Sequence, residues 1–91
     1  MKLSEDDQKK LSEAMNRKEV DQCMRDILSD FEKYGELEED DLTYFRTRLK
    51  LGLKRKDLPE IVEVKKGYVK VEVDDLRVEL QNNKIELTII D

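Results

Sequence analysis

The feature that most constrains this chain is a change of period after Pro59. Before it, apolar residues recur at helical intervals; beyond it, they alternate with polar ones. Four alternating runs, 61–65, 68–73, 76–81 and 84–90, are separated by Lys66-Gly67, Asp74-Asp75 and Asn82-Asn83. Two-residue hairpin loops need positive φ, which Gly, Asn and Asp adopt at least cost. With such loops Val64 faces Val69, Val73 faces Leu76, and Leu80 faces Ile85. Val62, Val64, Val69, Val71, Val73, Leu76, Val78, Leu80, Ile85, Leu87 and Ile89 then share one face. A slip of one residue would turn a strand inside out, so the agreement of the registers predicts a four-stranded antiparallel meander.

The opposite face is consistent with that register. It sets Glu63 beside Lys70, Lys70 beside Glu79, and Glu72 beside Arg77, all pairs of opposite sign. Glu79 beside Glu86 is the one unfavourable neighbour. Ile61 and Ile90 are expected on this charged, solvated side. The apolar face needs a cover, and only the residues before Pro59 can supply it.

Those residues read as three helices, about 4–15, 17–34 and 38–51. Ser4 with Asp7 forms an N-terminal cap signal for the first, whose apolar face is only Leu11, Ala14 and Met15. Val20, Cys23, Met24, Ile27, Leu28 and Phe31 keep a clean helical period, but at 100° per residue they point away from Leu11 and Met15. A break at Asn16 resolves the conflict: Asn16 caps the second helix, Glu19 reaches back toward the cap, and Met15 and Val20 staple the junction. Gly35 supplies the left-handed stop. Leu42, Phe45, Leu49 and Leu53 line the core side of the third helix. The predicted architecture is a single α+β domain, three N-terminal helices packed on one face of a four-stranded antiparallel β-meander.

Reactive chemistry is scarce. There is no histidine among the 91 residues, and the one cysteine, Cys23, belongs to an apolar stripe, where a core role outweighs a nucleophilic one. Ser4, Ser12 and Ser29 have no neighbouring base, and Gly35, Gly52 and Gly67 stand apart, so no phosphate loop exists. The run Glu38–Asp41 lacks the ligand spacing of a calcium loop. No enzyme, cofactor or metal is therefore expected. The apolar runs are too short to span a membrane. A single cysteine and no secretory leader point to a reducing, cytoplasmic compartment.

One stretch stands out against a net charge of −5: residues 42–56 carry six bases and no acid. Arg46, Lys50 and Lys54 run along one flank of the third helix, and Arg48 and Arg55 along the other. Tyr44 and Leu51 lie between the flanks, opposite the core stripe. Bases at a helix C-terminus, with Glu38 to Asp41 at its start, match the helix macrodipole and need no ligand. Aromatic and Arg side chains on an outward face also suit a protein contact. Three helices followed by a hairpin is, in addition, the broad order of a winged helix, with the third helix as nucleic-acid reader. The acidic remainder of the chain opposes phosphate.

The function expected is a non-enzymatic protein–protein interaction module, an adaptor, regulator or inhibitor that self-associates. Its contact residues would be Tyr44, Arg48, Leu51, Arg55 and Ile90. A homodimer would form through the outward face of the third helix or through strand 84–90, whose edge has little charge to guard it. The alternative is a nucleic-acid-binding regulator using Arg46, Arg48, Lys50, Lys54, Arg55 and Lys56.

Overall fold

The computed structural model describes residues 3–90. Three helices, α1 (Glu5–Glu13), α2 (Arg17–Tyr34) and α3 (Glu39–Leu53), precede four strands, β1 (Glu60–Lys65), β2 (Tyr68–Val73), β3 (Leu76–Gln81) and β4 (Lys84–Ile89). The strands form one antiparallel sheet in sequential order, and α2 and α3 pack against each other and against its first strands. This is the predicted α+β architecture.

Local chemistry explains the boundaries. The Ser4 hydroxyl accepts from the Asp7 N–H at 3.2 Å and opens α1. A turn at 14–16 breaks the helical path, and the Asn16 side chain caps α2 by accepting from the Glu19 N–H at 3.2 Å. Glu19 does not reach back to the cap as the sequence suggests. The Asn16 N–H instead donates to the Gly52 carbonyl at 2.8 Å, which ties the α1–α2 corner to the end of α3, and Glu19 is free to meet Arg48. Gly35 closes α2 in the left-handed region at φ 79°.

Helix α3 runs two residues beyond the predicted Leu51 and ends at Lys54, a non-glycine residue with φ 57°. The Arg55 N–H donates to the Lys50 carbonyl at 3.1 Å and the Lys54 N–H to Leu51 at 3.2 Å, the two bonds of a Schellman stop. In the sheet, Asn82 and Asn83 both take positive φ, and Asp74 and Gly67 supply the same conformation in the other hairpins.

Registers for β2, β3 and β4 match the predicted ones residue for residue. The first strand differs. Ile61 pairs with Val71 and Glu63 with Lys70, so one extra residue interrupts the ladder. That bulge turns Ile61 onto the core and leaves Val62 48% exposed, the reverse of the expected assignment. Edge strands accommodate such an insertion readily because only one neighbour constrains them.

The core joins Val20, Cys23, Met24 and Ile27 of α2 with Phe45, Leu49 and Leu53 of α3, above the inward residues of the sheet. Leu11 is only partly buried against it, while Met15 is buried. On the outer face Arg77 holds Glu72 at 2.8 Å and Lys70 lies 3.7 Å from Glu63. Lys70 and Glu79 are register partners, but Glu79 instead accepts the Tyr68 hydroxyl at 2.5 Å. Glu79 is also the register partner of Glu86, the one like-charged pair expected on this face. Burial, followed by the bond to Glu79, pushes the Tyr68 phenol up to about 12.

Candidate functional site: the outward face of the third helix

The basic stretch divides by residue type. Arg48 bridges two carboxylates of α2, with Nε 2.9 Å from Glu19 and Nη1 2.8 Å from Asp26. Its side chain is 18% exposed, and its guanidinium lies 5.4 Å from the Tyr44 ring centroid. Arg46 donates to the Pro59 carbonyl at 2.7 Å and to Glu60 at 2.5 Å, fixing α3 to the start of β1. Arg55 lies 3.6 Å from Asp74 in the β2–β3 turn. Among the described residues, Lys50, Lys54 and Lys56 have no ion-pair partner.

The Arg48 clasp alters the groups around it. Burial raises the Asp26 carboxyl, but hydrogen bonds from Arg48 and Gln22, with the Arg48 charge, overcome this and hold it below its ordinary 3.8. Burial lowers the Arg48 guanidinium, yet its bonds to Asp26 and Glu19 carry it above the ordinary arginine value. Beneath the clasp, burial pushes the Cys23 thiol up to about 12, and the thiol faces the Phe45 carbonyl at 3.6 Å. A fully enclosed, protonated thiol has little nucleophilic character.

Tyr44 and Leu51 are 58% and 70% exposed. They sit on the side of α3 opposite buried Phe45, Leu49 and Leu53. Between them Thr47 donates its hydroxyl to the Thr43 carbonyl at 2.8 Å, and Thr43 donates to Glu39 at 3.0 Å. Both hydroxyls are thereby satisfied within the helix. Tyr44, Arg48 and Leu51 therefore share one side of α3, whereas Arg55 lies past the left-handed stop at Lys54, outside the helix, and turns to Asp74 instead of continuing the predicted flank. Ile90 lies elsewhere, half-buried just past β4, where its N–H donates to the Asp75 carbonyl at 2.6 Å. Arg55 and Ile90 thus approach the same Asp74-Asp75 turn from different parts of the chain.

Several contributors escaped sequence reasoning. A Cβ on Gly52 would meet Val20 Cγ2 at 3.0 Å, so this glycine sets the closeness of α2 and α3. Arg17 donates to the Ile85 carbonyl at 3.3 Å and covers part of the β4 edge. Arg25 grips the Asn83 side chain and donates to its carbonyl at 3.2 Å. Glu19 and Asp26 lie seven residues apart on one side of α2, a spacing that offers an arginine two acceptors.

An open, acidic groove of about 430 Å³ is lined by Asp30, Tyr34, Glu36, Glu38 and Asp41. Among the described residues no group of three or more Cys, Asp or Glu is placed to hold a metal ion. Nor is any described helix long and apolar enough to cross a membrane. Comparison with known proteins finds no family model, no curated protein and no solved structure that matches the chain.

Proposed function

We propose that the protein is a non-enzymatic interaction module, acting in a reducing compartment such as the cytoplasm, whose contact surface is the outward face of α3. The observation that carries this reading is the exposure of Tyr44 and Leu51 on a helix whose other side is locked into the core. Exposed apolar groups on a rigid support can be covered by a partner without a large ordering cost. The arginines stiffen that support, while Lys50 and Lys54 leave charge at its margin to orient an acidic partner.

Phosphate binding is disfavoured because Arg46, Arg48 and Arg55 are already engaged with carboxylates or a carbonyl. The test compares the wild type with Leu51→Asp in co-precipitation from the native cell, beside a gel shift with nucleic acid across a salt series. Loss of the partner on Leu51→Asp, with a duplex left unshifted at low salt, supports the reading. A gel shift that disappears steeply as salt rises would replace it with nucleic-acid binding.

A further inference from the structure

We propose that the partner of this face is a second copy of the same chain, the two α3 helices lying antiparallel about a two-fold axis near Thr47. The proposal rests on the contact-surface reading above and goes further by naming the occupant.

The sequence of the outward stripe is self-complementary. Within α3, Asp40, Tyr44, Thr47 and Leu51 recur at intervals of four and three, the spacing of a helix–helix seam, and Lys54 follows three residues later at the left-handed cap of the helix. All five are exposed. At a rise of about 1.5 Å per residue, Asp40 and Lys54 lie about 10 Å on either side of Thr47. An antiparallel partner therefore brings its Lys54 level with Asp40, and by symmetry its Asp40 level with Lys54. Tyr44 and the partner's Leu51 fall within about 1.5 Å of the same height.

Charge selects this occupant. Glu39 and Asp40 begin the helix, Lys50 and Lys54 end it, and none of the four has an ion-pair partner among the described residues. At a net charge of −5, two copies repel over most of their surfaces. Antiparallel apposition of α3 is the arrangement that sets acid against base at both ends and opposes the two macrodipoles. The same patch serves both copies, so the assembly closes at two and does not grow. The β4 edge is the poorer route, since Arg17 already occupies the Ile85 carbonyl there.

Sedimentation velocity on the intact chain tests the pairing. A single helix face falls in the small-interface class, so wild type should dimerise with Kd on the order of 10–100 µM. Asp40→Lys and Lys54→Glu should each weaken association about tenfold or more, because like charges then meet at both ends. An equimolar mixture of the two variants should recover dimers, since a stripe carrying only bases then faces one carrying only acids. Unchanged circular dichroism spectra and melting curves establish that both variants remain folded.

A wild type still monomeric at about 1 mM overturns the proposal, as does a mixture that stays monomeric or a pair of variants that dimerise like wild type. The contact-surface reading fails separately, when Leu51→Asp leaves co-precipitation unchanged.

Discussion

Gly52→Ala sets two effects of known sign against each other. Alanine is preferred over glycine in a helix interior by roughly 0.5–1 kcal/mol, because glycine loses more backbone freedom on folding. Position 52 is the last but one residue of α3, so the lower half of that range applies. Against it, the new methyl would meet Val20 Cγ2 at 3.0 Å, with the Val20 nitrogen at 3.5 Å and Glu19 Cγ at 3.6 Å. Val20 is fully buried, and its branched side chain has one strongly preferred rotamer in a helix. It cannot swing away, so the helices must part. Overpacking of this kind costs about 1–3 kcal/mol. Separation also stretches the 2.8 Å bond from the Asn16 N–H to the Gly52 carbonyl.

The net expectation is a loss of about 0.5–2 kcal/mol, or roughly 2–15 °C in Tm for a domain of this size. Urea denaturation at constant m and calorimetry both measure it. The decisive version is a cycle with Val20→Ala. Removing the branched side chain opens the space that the Gly52→Ala methyl needs. The double variant should therefore be more stable than the sum of the single effects predicts, by about 0.5–1 kcal/mol or more. Strict additivity, or a Gly52→Ala protein as stable as wild type, would refute the close-approach argument.

Three further outcomes follow from individual contacts. Ile61→Ala should cost about 2–4 kcal/mol in urea denaturation, whereas Val62→Thr should stay within about 0.5 kcal/mol; the reverse order would restore the unbulged register. Lys54→Gly should raise stability by up to about 1 kcal/mol by removing a side chain from a left-handed position, while weakening self-association in sedimentation. The folded-state pKa of Asp26 lies below its ordinary 3.8, so its contribution is full above that value and fades as pH falls through the folded pKa. Asp26→Asn should therefore be less stable than wild type near neutrality, and in acid titration the two stabilities should begin to approach only below 3.8 and meet once pH has fallen through the lower folded pKa.

Hairpin periodicity is what made most of this fold legible. Alternation allows only two faces, and Lys66-Gly67, Asp74-Asp75 and Asn82-Asn83 fixed the strands between them, so β2, β3 and β4 could be registered from residue types alone. Ile61-Val62 is where alternation misled, two adjacent apolar residues on an edge strand of which Val62 was expected inward and Ile61 outward. The sequence pattern favoured Val62, but the local insertion favours Ile61. Tertiary pairing was the second blind spot. A wheel places Arg48 on a flank of α3 but says nothing of which side of α2 approaches that flank. Glu19 and Asp26 decide the matter by capturing Arg48 and withdrawing it from the surface it was expected to serve.

Within residues 42–56 the arginines all turn to tertiary partners and the lysines do not, which follows from the chemistry of the two cations. A guanidinium presents a planar fork of donors and is weakly hydrated, so one side chain can span two carboxylates; an ammonium is a compact, strongly hydrated point charge. Arg48→Lys tests whether the fork or only the charge matters. One ammonium cannot reproduce both the Nε bond to Glu19 and the Nη1 bond to Asp26, and it lacks the flat surface that lies over Tyr44. Both acceptors are 39% exposed, and water therefore compensates much of the loss. The expected cost is about 1–2 kcal/mol despite an unchanged net charge. Lys50→Arg and Lys56→Arg should be neutral within about 0.5 kcal/mol by the same denaturation assay, because neither lysine holds the fold together. If Arg48→Lys proves equally neutral, the clasp contributes only a diffuse field, and Arg48 returns to the pool of charges that a binding partner can use.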